Sequence, residues 1–166
     1  QPGPADGKDT YIQFDYPTTN HGNETYLYFG GIPSAGNPQY LLIQFDFSGI
    51  DESSSITSAQ LEFFMGSQNG FINGYNYSVM RITEAWSETS VTWNTMPAFD
   101  PLAVTGFSGN GWQGGIGQWH AIEGLGELVQ GWIEDPASNF GLLIKPTSGA
   151  YGYPMVWSCE YGASSS

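Results

Sequence analysis

The sequence predicts an all-β domain, a sandwich or a barrel, and three observations carry that expectation. Charged residues are only 11% of the 166, while Gly, Ser, Thr, Asn and aromatic residues abound, the balance of strands and turns rather than of helices. Short alternating or β-rich segments recur along the chain, divided by Gly, Pro, Asn and Ser clusters. The length suits one domain with room for a hydrophobic core.

Taken in order, the head QPGPADGK (1–8) has two prolines, two glycines and no large apolar side chain, so it reads as an extended linker. Strands are then expected over DTYIQFDY (9–16), TYLYFG (25–30), YLLIQFDF (40–47), ITSAQLEFFM (56–65), NYSVMRI (76–82), LAVTGF (102–107), QWHAI (118–122), FGLLIK (140–145) and YPMVWSCE (153–160). In YLLIQFDF, Leu41, Ile43, Phe45 and Phe47 share one face and Gln44 and Asp46 the other, the pattern of a half-buried antiparallel strand. Ala59, Leu61, Phe63 and Met65 repeat that pattern opposite Gln60 and Glu62. The polar link FSGIDESSSI between these two strands predicts a hairpin-like or corner turn. One segment departs from period two: in EGLGELVQGWIEDP (123–136), Leu125, Leu128, Val129, Trp132 and Ile133 recur at helical spacing, and Asp135-Pro136 stops the run. This predicts one short amphipathic helix with Trp132 on its core stripe. The tail GASSS (162–166) is linker-like, leaving one domain over 9–161.

Three Lys and Arg against sixteen Asp and Glu give a formal net charge of −13. No face can supply the row of cations that phosphate binding needs, which excludes nucleic acid and anionic membranes as partners. The carboxylate excess points either to bound cations, calcium above all, or to an acidic surface that only keeps the domain soluble. A single Cys159 excludes an internal disulfide. No apolar run spans a bilayer, and no charged-then-apolar signal segment opens the chain, so Gln1 is read as a mature terminus if the protein is exported. The sequons at Asn23 and Asn76 fit an extracellular, glycosylated chain. So does the scarcity of sites for trypsin-like proteases: Lys8, Arg81 and Lys145.

No catalytic constellation emerges. Glu123 and Glu127 lie i, i+4 on the expected helix and Glu134 and Asp135 are adjacent, but their neighbours suggest solvated faces rather than a cleft. His21 and His120 have no ligand spacing to each other or to Cys159, which argues against zinc. GNGWQGGIG (109–117) lacks the lysine of a phosphate loop and reads as a flexible loop, which makes Trp112 the leading exposed aromatic. Phe71, Tyr75 and Tyr77, with Tyr151 and Tyr153, come next. Such rings either stack on the C–H faces of sugars or fold over the sheet ends. For calcium, Asp9, Asp46, Asp51 and Glu52 fall at strand ends or turns where oxygens can converge. No organic cofactor is expected.

Several pieces together resemble a known family: Asp9-Thr10-Tyr11-Ile12, Asn20-His21-Gly22, LLIQFDFSGI (41–50), ITSAQL (56–61), Trp86-Ser87-Glu88 with Val91-Thr92-Trp93-Asn94, LVQGW (128–132), NFGLLI (139–144) and WSCE (157–160). In this order they resemble the DNRLRE-type extracellular domain, also grouped as carbohydrate-binding module family 96 and related to archaeal disaggregatase-like surface repeats. The resemblance implies a jelly-roll β-sandwich, non-catalytic, extracellular or at the cell surface, with a polysaccharide or other glycan as partner. It also implies that Trp86 and Trp93 are framework positions. Two departures stand out. The family's last segment is followed by Arg-Pro and one more apolar strand, where this sequence reads GASSS. Either the sequence stops short of that strand, or the closing strand is expected from elsewhere in the chain or from another copy, which makes a self-assembling filament or surface-matrix subunit the alternative function. The family's basic residues for acidic sugars are also nearly absent.

Overall fold

The computed structural model describes residues 7–31, 37–71, 73–147 and 151–161, without the side chains of Phe71 and Tyr151. Most of the head 1–8 and the tail 162–166 lie outside these residues, although Gly7 and Lys8 already belong to the first strand. Nine strands and one α-helix are formed among the described residues: β1 (Gly7–Gln13), β2 (Tyr26–Tyr28), β3 (Gln39–Phe45), β4 (Leu61–Phe71), β5 (Asn76–Ile82), β6 (Phe99–Ser108), β7 (Trp119–Ile122), α1 (Gly126–Glu134), β8 (Leu142–Pro146) and β9 (Tyr151–Trp157). They build a five-stranded sheet in the order β1-β3-β8-β5-β6 and a four-stranded sheet in the order β2-β9-β4-β7. Every ladder between them is antiparallel. The chain changes sheet at nearly every step, so the link from β3 to β4 is a corner between sheets and not a hairpin.

The core follows from the registers. Tyr11, Leu41, Ile144 and Val79 are successive partners across the five-stranded sheet. Leu27, Val156 and Met65 form the matching row in the other sheet. Both rows are buried in one cluster with Phe29, Phe63 and Trp132. Helix α1 contributes Trp132 and Ile133 to the interior, as its apolar spacing requires, while Glu127 and Glu134 stay exposed.

Strands β1, β3, β8 and β5 of the five-stranded sheet are buried on both faces, which corrects the half-buried reading of β3, whereas the edge strand β6 has no buried residue. Leu42, on the face away from the first core, is fully buried with Ile12, Met80, Ile82 and Leu143 in a second cluster. Residues 83–98 lie over it, with Trp86 and Val91 buried and Trp93 and Met96 packed alongside. The Trp86 indole donates to the Phe140 carbonyl at 2.8 Å, and Trp93 meets Phe14 and Tyr40 at ring-centroid distances of 5.4 and 4.9 Å. Asn20 fastens this cover by donating to the carbonyls of Glu88 and Val91. A Cβ at Gly22 would collide with the Glu88 carbonyl, so only glycine lets the 20–22 turn dock there. A sheet covered on both faces needs near-continuous apolar strands, which is why LLI recurs in β3 and β8.

Strand β4 also departs from expectation. It occupies 61–71 rather than 56–65, because GSQNG, turn-like in composition, pairs with β9 through Gln68↔Pro154 and Asn69↔Tyr153. Residues 56–60 are outside any strand.

Candidate functional site

The outer face of the four-stranded sheet contrasts with that of its partner. Since Val156, Met65, Phe63 and Ile122 point inward, strand alternation turns Trp157, Met155 and Tyr153 of β9, Glu62 and Phe64 of β4, and Trp119 of β7 outward. No buried cluster covers this face among the described residues. Trp119 is 56% exposed and Tyr161, just after β9, is 51% exposed. Phe64 sits edge-on to Trp119 with centroids 5.5 Å apart. Trp157 lies over Gly66, where a Cβ would come within 2.8 Å of its ring, and Tyr161 stacks on it at 4.0 Å. Polar groups border the rings: Gln60 donates to Glu62 (3.0 Å) and Asn69 to the Tyr153 hydroxyl (2.9 Å).

A cleft of about 270 Å³ opens beside these rings, lined by Phe64, Trp119 and Trp157 on one side and by Ile43, Phe45, Asp9 and Cys159 on the other. It exists because β9 pairs with β4 only over Met65–Phe71. Leu61–Phe64 carry a ladder on the β7 side alone among the described residues.

Lys8 also lines this cleft, though its ammonium is turned elsewhere, and Arg81 and Lys145 do not line it. The Lys8 ammonium sits 4.2 Å from the Trp86 ring centre and donates to the Trp86 carbonyl. Arg81 meets Asp100 at 3.4 Å, and Lys145 lies 5.3 Å from the Phe99 ring centre. All three belong to the five-stranded sheet.

Of the expected sugar-stacking residues, Trp112 and Tyr77 are corrected. Trp112 is only 4% exposed, stacked between Phe107 (5.1 Å) and His120 (4.7 Å). The glycines around it let the loop fold inward instead of holding the ring out: Gly114 and Gly117 adopt φ of 75° and 78°, and Gly115 leaves the space that the His120 ring occupies. Tyr77 is 2% exposed, with Phe107 stacked on it at 4.9 Å. Burial pushes its phenol above the usual range. Tyr75 is half-buried against the core, and Tyr153 stands on the uncovered face. The side chains of Phe71 and Tyr151 lie outside the described residues. Trp119, Trp157, Phe64 and Tyr161 were not singled out by the sequence. Asn23 and Asn76 are both exposed.

The expected calcium ligands separate. Asp46 accepts the Ser48 N–H and Asp51 accepts the Ser53 N–H and hydroxyl. These turn contacts hold both carboxyls below their ordinary range. With Glu52 they border a wider hollow of about 770 Å³. Asp9 instead joins Glu88, Cys159 and Glu160 at an acidic junction, one potential ligand atom from each lying within 4.8 Å of all the others. The Asp9 N–H donates to Glu88 Oε1 (2.6 Å), and the Cys159 N–H donates to Asp9 Oδ2 (2.9 Å). The thiol contacts Glu160 Oε1 at 3.0 Å. Burial pushes the Asp9 carboxyl up to about 7; the Cys159 N–H opposes this shift, and Glu160 and Glu88 add to it. Burial and the neighbouring carboxylates push the Cys159 thiol above its usual range.

No helix among the described residues is long and apolar enough to cross a membrane. No curated protein matches the sequence. Residues 5–163 match the family described as carbohydrate-binding module family 96, nearly the whole chain from ahead of β1 to beyond β9. The chain therefore belongs to carbohydrate-binding module family 96.

Proposed function

We propose that the uncovered face of the four-stranded sheet binds a neutral polysaccharide outside the cell, without cleaving it. The observation that carries this is Trp119, a large apolar ring left 56% exposed in a row with Phe64, Trp157 and Tyr161, on a sheet whose partner has its outer face covered. Exposed aromatic area of this kind marks a binding surface, and an indole offers a sugar ring a flat apolar face beside hydroxyl-bonding Gln60 and Glu62. Lys8 lines the adjoining cleft but its ammonium is engaged by Trp86, so with Glu62 exposed on the face a polyuronate would meet repulsion where it needs ion pairs. The absence of cleavage fits the same geometry: Asp9, the carboxyl with the most raised pKa, is only 6% exposed, and Glu123, Glu127, Glu134 and Asp135 are solvated.

Affinity electrophoresis and calorimetry against soluble xylan, mannan, β-glucan, alginate and pectin test this. We expect at least one neutral polymer to bind, and Trp119→Ala to weaken it about tenfold, roughly 1.4 kcal/mol, with an unchanged melting temperature. Binding only to alginate or pectin, or full affinity in Trp119→Ala, would reject the surface.

A second reading, copies of the chain joined by strand addition, is favoured by one observation: the edge of β4 over Leu61–Phe64 that β9 leaves unpaired above an apolar-lined cleft.

A further inference from the structure

We propose that Asp9, Glu88 and Glu160 hold a calcium ion at the junction of β1, the 83–98 segment and the turn after β9. The grouping alone would not carry this. The second observation is the state of its most buried member: Asp9 is 6% exposed, and its Oδ1 has no hydrogen-bond partner. Glu160 Oε2 is likewise buried without a partner. An orphaned carboxylate oxygen costs desolvation energy that hydrogen bonding does not return. Two of them, on residues whose ligand atoms come within 4.8 Å of a third carboxylate, point to a missing positive charge.

Of the protein's own cations only Lys8 acts on the site, through its charge on Glu88, but its ammonium is turned to the Trp86 carbonyl and ring and leaves Asp9 and Glu160 uncompensated. Arg81 is paired with Asp100. The dimensions suit calcium. At Ca–O distances of about 2.3–2.6 Å, ligands on opposite sides of the ion stand roughly 4.6–5.2 Å apart, and the four potential ligand atoms lie within 4.8 Å of one another. Three carboxylates are hard donors, which suit calcium rather than a soft metal. The Cys159 sulfur is engaged with Glu160 and is not counted as a ligand. The junction already ties together residues 9, 88 and 159–160, so an ion there would fasten three distant parts of the chain beside the cleft that Asp9 and Cys159 line.

The test is thermal unfolding of chelator-treated, dialysed protein titrated separately with Ca²⁺, Mg²⁺ and Zn²⁺, with equilibrium dialysis to count bound ions. Calcium should bind once and raise the melting temperature by roughly 5–10 °C at a hundredfold excess over its Kd. Magnesium, which sheds its water reluctantly, should do much less. Asp9→Asn should abolish the calcium shift yet melt no lower than wild type in chelator, because the amide keeps the Cys159 contact and removes a buried charge. If Asp9→Asn does not fold, Glu160→Gln is read in the same way. The proposal fails if millimolar calcium leaves the metal-free protein unchanged, or if Asp9→Asn or Glu160→Gln folds and keeps the full shift. It also fails if zinc stabilises more than calcium in a manner abolished by Cys159→Ser.

Discussion

Trp112 and Trp119 share one glycine-rich stretch yet end on opposite sides of the four-stranded sheet: Trp112 stacks on inward-facing His120, while Trp119, the residue before it, faces solvent. Glycines surrounding a tryptophan suggest a displayed ring, but here they are what allows its burial, by reversing the chain at Gly114 and Gly117. Trp119 was hidden by the ambiguity of QWHAI: alternation separates Trp and Ala from His and Ile without saying which pair meets the core. Trp112→Ala should therefore destabilise the fold by about 3–5 kcal/mol, as removal of a buried tryptophan does. Urea denaturation measures it, and binding should persist in the protein that remains folded. Wild-type stability with lost polysaccharide binding would place Trp112 on the surface after all.

Among the elements, strands with a strong pattern and a buried partner were legible. β5 runs over Asn76–Ile82, as NYSVMRI suggested, and α1 falls inside the expected 123–136 because its apolar residues recur at helical spacing. β4 was misplaced because its second half owes its conformation to β9, a partner far along the chain that no local pattern reveals. That partnership also determines the test of strand addition. If copies join this way, sedimentation and electron microscopy should show linear assemblies at high concentration, since a heterologous contact of this kind does not close on itself. Hydrogen exchange should then slow at those amides of Leu61–Phe64 that face away from β7. A monomer at every concentration, or assemblies without new protection there, would reject it.

The whole molecule is two-sided. One sheet carries a second core, the 83–98 cover and all three cations; the other carries bare rings and no cation. The sequence could show that each strand has two faces, but not that residues 83–98 cover one sheet and leave the other bare, because that depends on where the whole segment lies. It showed an acidic chain without showing that three of its carboxylates meet. That meeting sets how the domain would carry tension. The Asp9–Cys159 contact puts the first described strand and the last described turn side by side. A pull applied between residues 7 and 161 would break this contact first and then load the β1 ladder one rung at a time from Gly7↔Phe45, rather than shearing its seven pairs together. In single-molecule stretching, where rupture reports an unfolding rate, we expect an early low-force event that releases β1 before the remaining sandwich gives way. One high-force, all-or-none rupture would contradict it. A domain held in this way yields mechanically at its junction and its first strand while the other eight strands stay folded behind them.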